Sequence, residues 1–269
     1  METITSHQNP IIKQIRRLRQ KKYRQREGVY FIEGLRLVLS AIESQVKIDR
    51  LVYCPELLTS KAGWQAIKSQ EDRGVKAVTV GVDIFKKIST RDNPVGIGAI
   101  VAVQESSIQE LQLQRDSIFI GLVQISDPGN LGTVIRTGNA AGVSGVILVE
   151  ESVDPFHPTA VKASMGTLFT TPVCSVASSG ALLEWAAVNG ITTVASSARA
   201  EGSFWQVNYE LPALLLVGSE QMGLSEQLLK KADIKVKIPM GGESSSLNLA
   251  VAAGLILYEM RRSTGEKMT

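Results

Sequence analysis

The second half of the sequence alternates short apolar segments with helical patterns, and this alternation restricts the possible folds more than any other feature. Residues 118–123, 146–149 and 214–217 are almost entirely apolar, as expected of strands that are buried on both faces. Helical patterns lie between them, for example over 131–141 and 181–188. Because helices cover both faces of a parallel sheet, the pattern predicts an α/β fold with a mostly parallel sheet.

The last strand–loop–helix unit is the most informative one. Alternating apolar residues and lysines predict a strand over 234–238, and a loop rich in Gly and Ser follows it. The apolar helix predicted over 249–262 can be capped by Ser246 or Asn248. In an open α/β sheet, ligands bind where loops leave the carboxyl ends of the strands. We therefore expect a ligand site here, although a capped C-terminal helix explains this segment equally well by itself.

The first half of the chain predicts a separate and smaller unit. Asn9-Pro10 is typical of a helix start, and a helix with one apolar stripe and basic faces follows. Strands and helices then alternate over about 100 residues, the size of a small domain. Residues 105–116 are polar and rich in Gln. We place a linker there, between an N-terminal α/β sandwich of residues 1–104 and a C-terminal domain of residues 117–269.

The net charge of +3 conceals an asymmetry between these two parts. Residues 1–104 carry 18 Lys and Arg against 10 Asp and Glu, a net charge of +8, whereas the remainder has a net charge of −5. Eight basic residues fall between Lys13 and Arg26 without an acid among them, which favours contact with nucleic-acid phosphates. A solvated helix face is the alternative, but such a face normally mixes both signs. The predicted contact residues are Lys13, Arg16, Arg17, Arg19, Lys21 and Lys22.

Membrane and metal-binding classes find little support in the sequence. No apolar run reaches the roughly 18 residues that a membrane span needs, and the N-terminus lacks the apolar stretch of a secretory signal. We therefore expect a cytoplasmic protein. Cys54 and Cys174 are isolated, and only His7 and His157 could add further soft ligands, so we expect no metal site.

Three loops that follow predicted strands contain glycines where a backbone must come close to another group. They span residues 126–137, 218–224 and 241–248. Neither the dinucleotide pattern G-x-G-x-x-G nor the P-loop pattern occurs in any of them, which argues against a Rossmann-type nucleotide enzyme. Each loop alone is a weak signal, since glycines after strands often serve only in turns.

Taken together and in this order, the loops carry a resemblance to a known family. The segments DPGNLGTVIRTGNAAGVSGVIL, LLLVGSEQMGLS and VKIPMGGESSSLNLAVAAGLILYEMRR resemble the three signature motifs of SpoU-type RNA 2′-O-ribose methyltransferases of the SPOUT superfamily. In the first half, NPIIKQIRRL and FIEGLRLV are similar to the N-terminal substrate-binding domain of this family. The resemblance implies a C-terminal domain tied in a trefoil knot, S-adenosylmethionine bound in the knot, and a homodimer formed through this domain.

The resemblance also implies roles for individual residues. It places Asn130, Arg136, Glu220, Ser246 and Asn248 at the active site. It further implies that the backbone of Gly218, Ile238 and Leu247 holds the adenosine of the cofactor.

Arg136 is the family's candidate for the proton acceptor, but a guanidinium stays protonated in proteins because its pKa exceeds about 12. We therefore expect Arg136 to bind the neighbouring phosphate and to stabilise the developing alkoxide, while the proton passes to phosphate or water.

The sequence thus predicts a two-domain, homodimeric methyltransferase that uses S-adenosylmethionine to modify a ribose in RNA. Ribosomal RNA is favoured over transfer RNA because the N-terminal domain arrangement resembles the family's ribosomal branch. A transfer RNA ribose methyltransferase and a non-catalytic RNA-binding protein with the same fold are the alternatives. The sequence predicts neither the modified nucleotide nor a role for His157.

Overall fold

The computed structural model describes residues 3–243 and 246–263, and the chain divides into two compact units. The first unit contains the chain up to Gln104 together with Phe156–Thr170. The second contains Glu105–Pro155 and the chain from Thr171 onward. Residues 244 and 245 of the third predicted loop lie outside the described residues.

A four-stranded mixed sheet forms the centre of the first unit. Its strands are β1 (Val29–Glu33), β2 (Ile48–Tyr53), β3 (Lys76–Thr79) and β4 (Ile97–Ala102). They lie in the order β1-β4-β2-β3, with β4 antiparallel to both of its neighbours and β2 parallel to β3. The helices that come from this part of the sequence are α1 (Pro10–Arg17), α2 (Lys21–Glu27), α3 (Leu35–Glu43), α4 (Lys61–Asp72) and α5 (Val82–Ile88).

The basic N-terminal segment forms two helices, where the sequence pattern predicts one. α1 begins as predicted, because the Asn9 side chain accepts a hydrogen bond from the Ile11 N–H and Pro10 takes the first helical position. Its apolar stripe, with Ile12 and Ile15, is buried. The chain leaves the helix after Arg17 and re-enters one at Lys21, so the basic side chains radiate from two helices.

The second unit is built on a seven-stranded sheet in which every strand pairing is parallel, and the predicted α/β class is confirmed. The strand order is that of the following ranges: β7 (Val173–Val176), β6 (Gly145–Val149), β5 (Ile118–Val123), β10 (Ala213–Gly218), β8 (Thr192–Ser196), β11 (Ile234–Lys237) and β9 (Gly202–Ser203). The two central strands β5 and β10 are buried along their whole length. The helices of this unit are α6 (Pro128–Ala140), α8 (Ser179–Val188), α9 (Glu226–Lys231) and α10 (Leu249–Ser263).

The segment Phe156–Thr170 belongs to the first unit, although the sequence prediction includes it in the range 117–269. It contains α7 (Pro158–Ser164), and the Phe156 ring packs on Tyr30 of β1 with 4.9 Å between ring centroids. Gly166 has φ of +100°, and a Cβ there would lie 2.8 Å from the Ser40 Cβ on α3. His157, which has no predicted role, precedes α7, and its Nδ1 accepts a hydrogen bond from the Thr159 N–H.

Residues 105–116, predicted as a linker, pack into the second unit. Ile108 and Leu111 are buried in its core, and the Ser106 N–H donates to the Val173 carbonyl of β7. This segment is therefore not a free tether. None of the helices in the described part of the chain has the length and apolar character needed to span a lipid bilayer.

Candidate cofactor and active site

The loops with the three sequence motifs meet at one edge of the seven-stranded sheet. β5, β10, β8 and β11 lie side by side and run parallel, so their carboxyl ends face the same way. The first motif follows β5, the second follows β10 and the third follows β11. The sheet thereby brings together polar side chains that are far apart in the sequence.

Asn130, Glu220 and Asn248 form a continuous chain of hydrogen bonds. The Asn248 Nδ2 donates to the Asn130 Oδ1 at 2.8 Å, and the Asn130 Nδ2 donates to the Glu220 Oε1 at 2.7 Å. One residue from each motif takes part, so the chain of hydrogen bonds ties the three loops together. The sequence predicts an active-site role for all three residues, and the structure places them in direct contact.

The starts of α10 and α6 fix the orientation of this chain of hydrogen bonds. The Asn248 Oδ1 accepts from the N–H groups of Ala250 and Val251 at the start of α10, at 2.9 and 3.4 Å. Because Oδ1 faces the helix, Nδ2 must face Asn130, and the Asn130 amide is oriented in turn toward Glu220. The Asn130 backbone is held by the Asp127 side chain, which caps α6 and accepts its N–H at 2.7 Å.

A cavity of about 300 Å³ opens beside these residues. Ser219 and Gln221, on either side of Glu220, line it, as do Leu247 and Leu249 on either side of Asn248. Glu220 and Asn248 are not lining residues themselves, but each lies in the sequence between two that are, and we call Asn130, Glu220 and Asn248 the rim of the cavity. A cavity of this size with mostly apolar walls is typical of a site for a small organic ligand. Further lining residues include the predicted Ile238 and Ser246 together with Val217, Met222, Leu224, Leu229, Met240 and Ala252.

Gly218 contacts the backbone of its own loop and is not among the described residues that line the cavity. A Cβ at this position would lie 2.1 Å from the Gly223 carbonyl carbon and 2.4 Å from the Leu224 nitrogen. Only glycine permits the loop after β10 to fold back this closely. The loop is closed further by the Gly223 N–H, which donates to the Ser219 carbonyl at 2.9 Å.

One wall of the cavity was not predicted from the sequence: residues 196–199, which are the last residue of β8 and the start of the loop after it. The Ser197 N–H donates to the Val236 carbonyl of β11, and the Ser197 Oγ accepts from the Arg199 N–H. Arg199 is the one charged residue among the described residues that line the cavity. The signal was the position of this loop, since it leaves a parallel strand at the same sheet edge as the three motifs.

Arg136 is not brought together with the other predicted active-site residues. It lies on α6 six positions after Asn130, so its side chain leaves the helix about 120° away from that of Asn130. It is exposed, and its guanidinium has no hydrogen bond or ion pair with the residues that the structure describes. An exposed guanidinium in this position is available to a phosphate of a bound polyanion.

The predicted RNA-contact residues fall into two groups. Lys13, Arg16, Arg17, Lys21 and Lys22 are exposed on α1 and α2. Arg19 is also exposed, but its Nη2 lies 3.0 to 3.1 Å from the carbonyls of Lys87, Ile88 and Ser89 at the end of α5. A cation that donates to the last carbonyls of a helix stabilises that helix, so the structure gives Arg19 a role in the fold.

The two cysteines are buried, and burial raises the pKa of the Cys174 thiol to about 12. Burial also raises the pKa of Cys54, helped by a hydrogen bond to Glu56. Thiols of this kind stay protonated at neutral pH and are poor nucleophiles. Within the described ranges, no three His, Cys, Asp or Glu side chains are grouped as metal ligands would be.

The parallel sheet, the apolar cavity at its carboxyl edge and the polar rim define an α/β protein that binds a small organic ligand beside polar side chains. A family model described as the SpoU rRNA Methylase family matches residues 117–258, and the chain belongs to this family. A second model, the MRM3-like substrate binding domain, matches residues 9–99.

Characterised relatives and solved structures are similar over nearly the whole chain. An rRNA methyltransferase from Sinorhizobium meliloti, solved with AdoMet bound, is 36% identical with a TM-score of 0.88 and 97% of each chain covered. The 23S rRNA (guanosine(2553)-2′-O)-methyltransferase RlmP of Bacillus subtilis is 28% identical over 97% of this chain and 100% of its own length. The 23S rRNA (uridine(2479)-2′-O)-methyltransferase of Streptomyces viridochromogenes is 28% identical over 89% and 84%.

Proposed function

We propose that this protein transfers a methyl group from S-adenosylmethionine to a ribose 2′-hydroxyl of ribosomal RNA. The chain of hydrogen bonds through Asn130, Glu220 and Asn248 at the rim of the cavity carries this proposal. It holds a carboxylate oxygen and amide groups next to a slot for a nucleoside. The related enzymes that methylate 23S rRNA at ribose support the choice of substrate.

The lining residues suit S-adenosylmethionine. Val217, Leu224 and Ile238 would form apolar walls for its adenine, and backbone groups of the loops would be available to pair with the edges of the ring. Arg199, the one cation in the described lining, would pair with the carboxylate of its methionine part. When bound, the cofactor supplies an electrophilic methyl group on a positively charged sulfur.

The protein's own residues then position the ribose and help its hydroxyl to react. Glu220 accepts one hydrogen bond from Asn130, and its second oxygen can accept one from the 2′-hydroxyl, which orients the attacking oxygen. Arg136 projects from another face of α6, so in this proposal it binds a phosphate of the RNA and does not act on the reacting oxygen. The departing proton passes to phosphate or water.

The proposal is tested by incubating the protein with radiolabelled S-adenosylmethionine and either protein-free ribosomal RNA or total transfer RNA. Label in ribosomal RNA, located at a 2′-O-methyl ribose after nuclease digestion, is the expected result. Label in transfer RNA alone would assign the protein to the transfer RNA alternative. RNA binding without label in either RNA, together with no heat of binding for S-adenosylhomocysteine, would leave the non-catalytic reading.

We also infer that two copies associate through α10. Val251, Leu255 and Tyr258 recur at helical spacing on this helix and are 51, 43 and 41% exposed, which leaves an apolar stripe on its outer face. α10 also packs against α6, where a Cβ at Gly254 would lie 3.0 Å from the Thr137 Cγ2. The proposal also includes the trefoil knot that the resemblance implies for the C-terminal domain. It further includes a cytoplasmic location, where buried thiols stay reduced.

A further inference from the structure

The exposed cations of α1 and α2 are not distributed evenly, because three of them gather around one aromatic ring. The guanidinium carbons of Arg17 and Arg26 lie 5.9 and 4.8 Å from the centre of the Tyr23 ring, and the Lys22 Nζ lies 4.9 Å from it. All three cations are exposed, whereas Tyr23 is half-buried. We call these four residues the Tyr23 cluster.

The cluster carries an excess of positive charge. Within the described residues, Glu27 is the one acid paired with it, through Arg26 at 3.2 Å, and Glu27 also accepts from the Gln14 side chain. Three cations held within about 6 Å of one point repel each other, and the face of an aromatic ring offsets little of this at an exposed site. Such an arrangement is poised to receive an anion.

We propose that the Tyr23 cluster binds one phosphate and one unpaired base of a single-stranded RNA segment. A phosphate draws the guanidinium and ammonium groups away from the ring, because charge-assisted hydrogen bonds to phosphate are stronger than cation contacts with an exposed ring. The uncovered ring then offers a face on which a base can stack. Duplex RNA buries the faces of its bases in the helix, so it can use the cations but not the ring.

The phosphate and the base together favour the exchange. Each cation contact with an exposed ring is worth about two- to fivefold in affinity, so the three contacts together are comparable with the stacking of one base, which is worth about 5- to 150-fold. The charge-assisted hydrogen bonds to the phosphate are then the net gain. The ring and the cations also differ in their response to salt. Phosphate contacts release counterions and add to the slope of log K against log salt, whereas stacking releases none.

The inference rests on the proposed RNA-modifying function, and its test separates the two. The full-length protein is titrated into fluorescein-labelled oligo(rU)12 and into a 12-base-pair RNA duplex at several salt concentrations, with anisotropy as the readout. Tyr23→Leu should weaken oligo(rU)12 binding about tenfold or more without changing the salt slope, and should change duplex binding less than about twofold. Tyr23→Phe, which keeps the ring, should bind like the unmodified protein.

Arg17→Gln provides the complementary variant. It should lower the salt slope with oligo(rU)12 by about 0.7, the contribution of one phosphate contact, and leave the ring in place. Arg73→Gln, which removes an exposed cation from the end of α4 in the same unit, is the matched control and should change neither affinity nor slope. Circular dichroism and thermal unfolding establish that each variant is folded.

Equal losses for the two RNAs in Tyr23→Leu, or no loss for oligo(rU)12, would overturn the inference while leaving the methyltransferase proposal intact. An unmodified protein that binds neither RNA at low salt would instead count against an RNA substrate altogether. The cluster would then be a solvated cationic surface.

Discussion

At the residue scale, Gly218 shows how a motif position can serve the fold and the site at once. The resemblance assigns its backbone to the adenosine, whereas the structure shows its Cα in tight contact with the backbone of Gly223 and Leu224. The glycine therefore shapes the loop whose neighbouring residues line the cavity.

The loop predicts a distinct effect of Gly218→Ala. An added methyl group 2.1 Å from a backbone carbon forces the loop open, so calorimetry should show binding of S-adenosylhomocysteine weakened at least about tenfold. Gly241→Ala is the control, because a Cβ at Gly241 meets no atom of the described residues within 4 Å. Unchanged affinity in Gly218→Ala would show that the loop does not shape the cofactor site.

Glu220 offers a test of the rim. Glu220→Gln can still accept from the Asn130 Nδ2 but lacks the negative charge, and Asn130→Ala breaks the chain of hydrogen bonds itself. Both changes should slow single-turnover methyl transfer by about 10² to 10³ and leave S-adenosylhomocysteine affinity within about threefold. A loss of cofactor binding equal to the loss of rate would assign these residues to the cofactor and not to the ribose.

Arg199 should act only on a ligand that has a carboxylate. Arg199→Gln is expected to weaken S-adenosylhomocysteine binding about tenfold while leaving methylthioadenosine, which lacks the amino acid part, unaffected. The difference between the two ligands isolates the ion pair from any general damage to the cavity. Equal weakening of both would instead place Arg199 beside the adenosine.

At the element scale, the helices and strands were largely predictable because their apolar periodicity is strong. The predicted strand over 118–123 has the limits of β5, and the other helices and strands predicted for the second half differ by one to three residues at an end. The two-residue strand β9 and the break between α1 and α2 were not predicted, since neither leaves a periodic signal. Residues 105–116 were predicted as a linker, whereas the structure packs them onto the second unit. Their two buried side chains, Ile108 and Leu111, are too few to form a recognisable apolar pattern.

Contacts between elements were less predictable than the elements themselves. Hydrophobic periodicity says which face of a helix is buried but not which loops converge, so the wall Ser196–Arg199 was missed. The packing of Phe156–Thr170 with the first unit left no signal, because the segment has the pattern of one more helix between strands. The motifs predict that Asn130, Glu220 and Asn248 share one site. They do not predict the hydrogen bonds among these residues.

Arg19 yields a prediction at this scale. Because its guanidinium donates to carbonyls at the end of α5, Arg19→Gln should lower the free energy of unfolding by about 1 kcal/mol. The slope of log K for RNA against log salt should stay the same. Replacing Arg16, Arg17, Lys21 and Lys22 by Gln should instead lower that slope by up to about 3 and leave the unfolding temperature nearly unchanged. A lower slope in Arg19→Gln would return this residue to the RNA contacts.

At the scale of the whole molecule, the charge asymmetry separates the part of the chain that we expect to bind RNA from the part that holds the cavity. The first 104 residues hold the excess of positive charge, and the cavity lies in the half with the net negative charge. We therefore expect cations such as Arg16 and Lys21 to determine RNA affinity and the residues around the cavity to determine chemistry.

The stripe on α10 predicts the assembly. Leu255→Glu places a charge in the middle of the proposed contact, and sedimentation equilibrium should show a dissociation constant raised by at least about a hundredfold. Lys68→Glu, a change of an exposed residue on α4, is the control and should leave the mass unchanged. A Leu255→Glu protein that sediments like the unmodified one would place the contact elsewhere.

One helix thus faces two ways, because α10 lines the cavity with Leu249 and Ala252 and presents Val251 and Leu255 outward. Its first turn is anchored by the same Asn248 that closes the chain of hydrogen bonds at the rim. Linkage requires that if association orders this turn and thereby tightens the cofactor site, the cofactor must strengthen association by the same factor. Cofactor affinity would then rise with protein concentration, so the fraction of methyl-donor sites that are occupied would depend on how much of the protein is present.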